Sequence, residues 1–271
     1  MSLDNSTPPT ETFWRIDRRG STLVASLDRP AVRNALNFLC WEQLESVIAE
    51  ADGSPDVRAL VLTGGGGIFS AGGDMKDPEP RGEGLLREAA RLRFLQTVLA
   101  RLARLSTPSI AAVEGPAVGV AWGLALTCDF VVAARDAKFI APFAARGLLP
   151  DGGVGFHLVK ALGRLRATEI LLGNRALSGA EAYDAGLVSE VTAPGEALER
   201  ALALAEALGL SSRDTTNLTL RALRRAEQSG YRDYLDAELE MAALNLHNPD
   251  VAAARMSFRK AAEPSAKREP S

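Results

Sequence analysis

Residues 111–139 read AAVEGPAVGVAWGLALTCDFVVAARDAKF, and this stretch decides the fold. A buried strand, SIAAVEG (109–115), runs into a helix of small residues, and FVVAAR (130–135) forms a strand after it. Strands and helices that alternate in this way are typical of α/β proteins. Because the alternation continues to about Val191, we predict an α/β core.

The segments before this stretch supply further elements of the same kind. Residues 12–30 are expected to form a hairpin of two strands. A helix is predicted within residues 37–53, with Asn37 as its N-cap. The amphipathic pattern of residues 82–108 predicts a long helix that ends at Thr107-Pro108.

The chain changes character after the α/β core. From GEALERALALAEALGL (195–210) onward, the periodicity predicts helices alone. We therefore predict a core at 12–194, a helical segment at 195–261 and flexible tails at 1–11 and 262–271. The apolar faces of the helical segment must pack on the core or on another subunit.

The composition excludes several classes of protein. Hydrophobic residues make up 46% and charged residues 24% of the 271 residues, as in a globular protein. The net charge of −3 argues against a broad nucleic-acid-binding surface. Cys40 and Cys128 have no metal-ligand or disulfide spacing, and no stretch has the pattern of a membrane span or a signal peptide. We therefore expect a cytoplasmic protein without nucleic-acid or membrane partners.

Three glycine-rich turns follow strands and are candidate ligand sites. They are GGGGIFSAGGDM (64–75), VEGPAVGVAWG (113–123) and GLLPDGGVG (147–155). Glycine lets the backbone approach a ligand closely with its N–H groups exposed. The first turn lacks the Lys followed by Ser or Thr of a phosphate-binding loop, and no GxGxxG opens a helix after the first strand. Nucleotide hydrolysis and dinucleotide binding are therefore disfavoured.

Five segments match one family in order and spacing. They are LDRPAVRNALN (27–37), FSAGGDM (69–75), residues 111–139, GLLPDGGVGFHLVKALG (147–163) and LLGNRALSGAEAYDAGLVSEV (171–191). Through them the chain closely resembles the enoyl-CoA hydratase/isomerase (crotonase) superfamily, and its third glycine-rich turn is similar to that of the ring-1,2-epoxyphenylacetyl-CoA isomerase type.

This resemblance has consequences for fold, assembly and ligand. It implies a crotonase-like spiral of ββα turns with a C-terminal helical oligomerisation segment. It also implies a homotrimer or homohexamer, and an acyl-CoA thioester as substrate with no further cofactor and no metal.

The family's shared mechanism uses two backbone N–H groups that hold the thioester oxygen as it becomes an enolate. By the resemblance, these are the N–H groups of Gly73 and Val120. Preorganised donors of this kind are worth about 3–4 kcal/mol each. Val120 opens a predicted helix, so its N–H lies at the positive end of the helix dipole. The alternative is that both segments are ordinary tight turns.

The two glutamates of the family's hydratases are missing from this chain. They activate a water and deliver a proton to the substrate, and they fall at Gly123 and Phe143. Neither residue transfers a proton, so hydration by the usual route is disfavoured. Trp122 and Phe143 are interpreted either as core residues or as an apolar wall for a bulky or aromatic acyl group. Part of the helix within 82–108 is expected to line the same pocket.

Asp151 is the remaining acid with a candidate role in proton transfer. In several isomerases of the family, an acid at this position removes a proton from one carbon of the acyl chain and returns it to another. An Asp before a helix is also a common N-cap, worth about 1 kcal/mol, and both roles can hold at once. Burial beside Phe143 and Leu148 is expected to raise the pKa of Asp151.

Other activities of the family lack their partner residues here. Dehalogenation needs an upstream histidine base, and the chain has His157 and His247 alone, with His157 expected to be packed or exposed. Dienoyl-CoA isomerisation needs a glutamate at the Phe143 position. Hydratase-like activity with Asp151 activating water, and a non-catalytic acyl-CoA-binding role, both stay open.

The remaining charged residues near these turns receive secondary roles. Asp74 is expected to cap local backbone N–H groups, and Glu114 is expected to be structural. Arg29, Arg33 and Lys76 are the nearest cations for the polyanionic coenzyme A, although exposed cations are usually solvated. The predicted substrate-binding residues are Ala31, Arg33, Ala71, Gly73, Asp74, Met75, Lys76, Val120, Trp122 and Phe143.

Overall fold

The main layer of the protein is a six-stranded sheet. The computed structural model describes residues 11–77, 87–227, 229–251 and 256. The strands of this sheet are β1 (Trp14–Arg19), β2 (Thr22–Leu27), β3 (Ala59–Gly64), β4 (Ser109–Val113), β6 (Phe130–Ala134) and β9 (Glu190–Thr192), in that spatial order. β1 and β2 form the predicted antiparallel hairpin, and every other pairing within this sheet is parallel.

Three further strands form a second, smaller sheet. It contains β5 (Pro116–Val118), β7 (Lys138–Ile140) and β8 (Leu177–Ser178). β4 is followed by β5, and β6 by β7, so successive turns of the chain each give one strand to each sheet. The parallel pairing of β5 with β7 places Pro116 opposite Lys138. This repetition confirms the predicted spiral of α/β turns.

Helices complete each turn of the spiral and form the C-terminal part of the chain. Asn37 caps the first of them as predicted, because its side chain accepts the Cys40 N–H at 2.9 Å. The helices are α1 (Phe38–Gly53), α2 (Arg87–Leu102), α3 (Val120–Thr127), α4 (Val154–Gly173), α5 (Gly179–Asp184), α6 (Ala197–Gly209), α7 (Arg213–Ala226) and α8 (Tyr231–Leu246).

The helix α2 ends earlier than the sequence pattern predicts. It stops at Leu102, and the next two backbone bonds, from Arg104 and Leu105, span three residues and tighten the chain into a turn. The hydroxyl of Thr107 then donates to the carbonyl of Ala51 at 2.9 Å. Contact with the end of α1 therefore ends α2 before Pro108 is reached.

The chain divides into two compact units, Met1–Glu206 and Ala207–Ser271. The division falls within α6, later than the predicted boundary after residue 194. The alanines on one face of α6, Ala197, Ala201 and Ala205, are fully buried and belong to the first unit. Most of the predicted tails, residues 1–10 and 262–271, lie outside the described residues.

Each unit has its own packing. In the first, large side chains that include Trp41, Trp122 and Phe139 are fully buried around the six-stranded sheet. In the second, α7 packs on α8, and Thr215 donates to the side chain of Asn245 at 2.9 Å. Of the helices in the described part of the chain, none combines the length and apolarity that crossing a bilayer requires.

Candidate active site

The first candidate donor, the N–H of Gly73, lies in a loop held in a β-like arrangement. Leu36 donates to the Gly72 carbonyl at 2.8 Å and accepts from the Asp74 N–H at 2.9 Å. Successive N–H groups of an extended chain point in opposite directions, so the Gly73 N–H points away from Leu36. Within the part of the chain that the structure describes, this N–H has no protein acceptor.

The second candidate donor, the N–H of Val120, lies at the first residue of α3, as predicted. The first N–H groups of a helix have no acceptor within the helix. Gly119 precedes it with φ of 57° and donates its own N–H to the Ile140 carbonyl at 2.7 Å. The N–H of Val120 has no acceptor among the described residues, and it lies at the positive end of α3, beside the loop of Gly73.

Close backbone packing brings the two donor loops together. Gly72 has φ of +90°, and a Cβ atom there would lie 2.5 Å from the carbonyl oxygen of Val118. No side chain fits in that space, so glycine is required. A Cβ on Gly73 would lie 3.9 Å from Cγ1 of Val120, which is ordinary van der Waals contact.

A pocket of about 70 Å³ opens between these loops and the third glycine-rich turn. Six of the residues predicted for the site line it, namely Ala71, Gly73, Met75, Val120, Phe143 and Asp151. The rest of its wall is formed by Gly72, Val118, Gly119, Pro142, Arg146 and Leu148. Phe143, at one vacated glutamate position, is 6% exposed and forms an apolar side of the pocket.

Asp151 is the one carboxylate among the described residues that line this pocket. Its Oδ1 atom is buried, and it has no hydrogen-bond partner among the described residues. Burial raises the pKa of the carboxyl above its ordinary value, and the positive charge of Arg91 opposes that shift. The predicted rise in pKa beside Phe143 and Leu148 is confirmed in direction.

The predicted capping role of Asp151 is wrong. α4 begins at Val154, its N-cap is Gly153, and no side chain caps it. The physical reason is the left-handed backbone at Gly152 and Gly153, with φ of 64° and 76°, which inserts a turn between the acid and the helix. The acid is therefore left without the partner that a cap would provide.

Several predicted residues lie near the pocket but not in its wall. Asp74 caps the Lys76 N–H at 3.0 Å, as expected, and also pairs with Arg29 at 3.1 Å. Arg29 is thereby engaged inside the protein, rather than free for coenzyme A. Ala31 and Arg33 lie on an exposed turn, where the Arg33 carbonyl accepts the Ala71 N–H at 3.0 Å; Lys76 is exposed as well.

Three further residues have structural surroundings. Trp122 is fully buried against Phe139, with ring centroids 5.6 Å apart, so it packs in the core and not in the pocket wall. Glu114 accepts N–H groups from Gly195 at 3.1 Å and Ala197 at 2.9 Å, which confirms its structural role. His157 is half-buried, and this burial lowers its pKa.

Comparison with known proteins agrees with this geometry. The model of the family described as enoyl-CoA hydratase/isomerase matches residues 17–267. The chain belongs to the enoyl-CoA hydratase/isomerase family. It is 35% identical over 214 residues to enoyl-CoA hydratase EchA19 of Mycobacterium tuberculosis, covering 78% of this chain and 80% of that protein.

An isomerase and a solved hydratase structure are similar to this chain as well. The 1,2-epoxyphenylacetyl-CoA isomerase of Escherichia coli is 33% identical to this chain over 218 residues. The alignment covers 80% of this chain and 83% of that protein. The crystal structure of an enoyl-CoA hydratase from Polaromonas sp. JS666 superposes with a TM-score of 0.87 at 31% identity, covering 93% of this chain and 98% of the other. These relatives confirm the crotonase fold and leave hydratase and isomerase both open.

Two cations at or near this candidate site are not predicted by the sequence analysis. Arg91 of α2 donates to the carbonyls of Asp74 at 3.3 Å and Leu36 at 3.4 Å, and lies 3.5 Å from the Asp77 carboxylate. Arg146 lines the pocket from the turn after Phe143. The sequence predicts that part of α2 approaches the pocket. It does not predict which side chains of α2 point toward the pocket, and so it does not single out Arg91.

Proposed function

We propose that the protein is an acyl-CoA isomerase that moves a double bond through an enolate, with Asp151 as the proton shuttle. The observation that carries this proposal is the buried Oδ1 atom of Asp151, which has no hydrogen-bond partner among the described residues and belongs to a residue in the wall of the donor pocket. A carboxylate in such a place is available to a proton on a bound ligand. Its raised pKa also suits a group that must both accept and return a proton.

The reaction proceeds in two proton transfers. The carboxylate of Asp151 removes a proton from the α carbon of a 3-enoyl thioester, and the electron pair moves onto the thioester oxygen. The N–H groups of Gly73 and Val120 donate to that oxygen while it is an enolate. Asp151, now protonated, returns the proton to the γ carbon, and the 2-enoyl thioester forms with no net gain or loss of atoms.

Hydration of a 2-enoyl thioester is the second candidate, favoured by the names of the relatives. EchA19 and several other similar proteins carry hydratase names. In this reaction Asp151 would activate a water that adds to the β carbon. The apolar Phe143 in the pocket wall disfavours it, because water there has few polar groups to hold it.

The coenzyme A end of the substrate is proposed to lie on the exposed turn beside the first donor loop. Ala31, Arg33 and Lys76 are exposed there, and two of them carry the positive charge that phosphates require. Arg146, in the pocket wall, is a further candidate.

The family resemblance also supports a homotrimer or homohexamer formed through the C-terminal helices. Leu235, Leu239 and Leu246 of α8 are exposed in the single chain, at 41%, 71% and 56%. Apolar side chains at such spacing favour a protein contact. Light scattering of the purified protein tests this assembly.

The reaction itself is tested by incubating the protein with a 3-enoyl-CoA and with the matching 2-enoyl-CoA in deuterated water. NMR should show interconversion of the two, with deuterium appearing at the α and γ carbons wherever the protonated Asp151 exchanges with solvent before it returns the proton. A 3-hydroxyacyl-CoA product would instead support hydration. Binding of the thioester with neither interconversion nor exchange at either carbon would support a non-catalytic role.

A further inference from the structure

The turn that carries Asp151 lies directly on the backbone of α3. A Cβ atom on Gly123 would lie 2.0 Å from the carbonyl oxygen of Gly152 and 2.8 Å from its carbonyl carbon. Both distances are shorter than any that a side chain tolerates against backbone. Only glycine fits at position 123 while the turn keeps its present place.

A second close contact joins the turn to Val120, the first residue of α3. Gly152 has φ of +64°, which disfavours other residues, and a Cβ there would lie 2.6 Å from Cγ2 and 2.9 Å from Cα of Val120. Gly152 follows the acid directly, and Val120 carries the second candidate donor. These two contacts therefore fix the acid and the donor relative to each other.

The close approach of α3 and α4 continues one helical turn beyond the glycines. The hydroxyl of Thr127 donates to the Gly123 carbonyl at 2.8 Å and lies 3.4 Å from Nε2 of His157. The two helices are thus joined at a second level by a polar contact. The glycine contact is therefore part of an extended interface, which resists displacement of the turn.

We propose that Gly123 and Gly152 are positioning residues that hold Asp151 at its working distance from the Val120 donor. This inference rests on the proposed isomerase function. A side chain at position 123 requires the Gly152 carbonyl to retreat by about 1 Å, from 2.0 Å to the shortest contact that real Cβ atoms make. A misplacement of about 1 Å can cost on the order of a hundredfold in rate.

The test is Gly123→Ala, assayed for 3-enoyl-CoA isomerisation across the acidic pH range. We expect kcat to fall on the order of a hundredfold with little change in KM, because the pocket and both donors remain. The acidic limb of the profile should move to lower pH, since a displaced turn lets water reach the carboxylate and lowers its pKa. Gly155→Ala is the matched control, because its Cβ would meet only Leu171 Cδ1 at 3.8 Å, and its activity should be unchanged.

An activity-independent titration separates this inference from the proposed function. The Asp151 carboxyl is followed by carbon NMR in the wild type and in Gly123→Ala, and we expect its pKa to be lower in the variant. An unchanged titration and kcat would overturn the positioning role, whatever Asp151 does. If Gly123→Ala does not fold, Val120→Ala is measured in its place. This variant shortens the side chain under Gly152 and keeps the Val120 N–H. An unchanged pKa of Asp151 in Val120→Ala would also overturn the inference. Failure of the proposed proton-shuttle role alone would appear as wild-type turnover in Asp151→Asn.

Discussion

The guanidinium of Arg29 lies 3.1 Å from the carboxylate of Asp74, and their side chains are only 13% and 12% exposed. Arg29 also donates to the Ala35 carbonyl and stacks on the Phe13 ring at 4.4 Å from its centroid. Asp74 follows Gly73 directly, so this pair fastens the first donor loop to the body of the protein.

Replacement of Arg29 by Met should therefore destabilise the protein rather than remove a coenzyme A contact. The substitution leaves the Asp74 carboxylate without the cation it pairs with. Breaking a buried ion pair in this way lowers the free energy of unfolding by about 3–5 kcal/mol. Chemical denaturation measures this loss. The ratio of kcat/KM for an acyl-CoA to that for an acyl-pantetheine should be the same in the variant and the wild type, and a selective loss with acyl-CoA would show that Arg29 binds the phosphates.

Arg91 is expected to set the pH at which Asp151 works. Its charge lowers the pKa of Asp151, so Arg91→Gln should raise that pKa further. A general base must be ionised to act, and the acidic limb of the pH–rate profile should then move to higher pH. The control is Arg93→Gln, which removes a charge from an exposed position of the same helix. The acidic limb of its pH–rate profile should stay at the wild-type pH. Equal shifts in both variants would contradict a specific role for Arg91.

Asp151 should lower the stability of the protein at neutral pH. Its pKa is raised in the folded state, so its protonated form favours folding, and that contribution is lost as pH rises through the folded-state pKa. Asp151→Asn is therefore expected to be more stable than the wild type at neutral pH, with the gain disappearing in acid. Urea denaturation at two pH values checks this, and a gain independent of pH would contradict the burial of an ionised group.

Restoring the hydratase glutamates should not create a hydratase. Gly123→Glu places a Cβ against the Gly152 carbonyl, and overpacking of this kind costs about 1–3 kcal/mol. The double variant Gly123→Glu with Phe143→Glu is expected to show no hydration of 2-enoyl-CoA above the wild type. Phe143→Glu alone is the control for the second position. Appreciable hydroxyacyl-CoA formation by the double variant would show that the turn can move aside.

Local signals in the sequence predicted much of this fold. The cap at Asn37, the start of α3 at Val120 and the helical C-terminal segment follow from residue types within a few positions of each other. The resemblance supplied the order of the spiral turns. It also placed Gly73 and Asp151 around one pocket, which the structure brings together.

The parts that were missed depend on contacts between distant segments. The early end of α2 depends on the contact of Thr107 with Ala51. Asp151 does not cap α4 because Gly152 and Gly153 have a left-handed backbone, in a turn that packs on α3. The pairing of Arg29 with Asp74 joins two loops that nothing in the local sequence connects.

The central claim is that the chemistry passes through the carboxylate of Asp151. The most direct measurement is the rate of 3-enoyl-CoA isomerisation, with deuterium exchange at the α and γ carbons, by folded Asp151→Asn. Because a positioned general acid–base contributes about 10²–10⁴-fold, turnover and exchange should fall by a factor in that range. Thioester binding should persist, since the N–H groups of Gly73 and Val120 are untouched. Wild-type turnover in this variant would contradict the account.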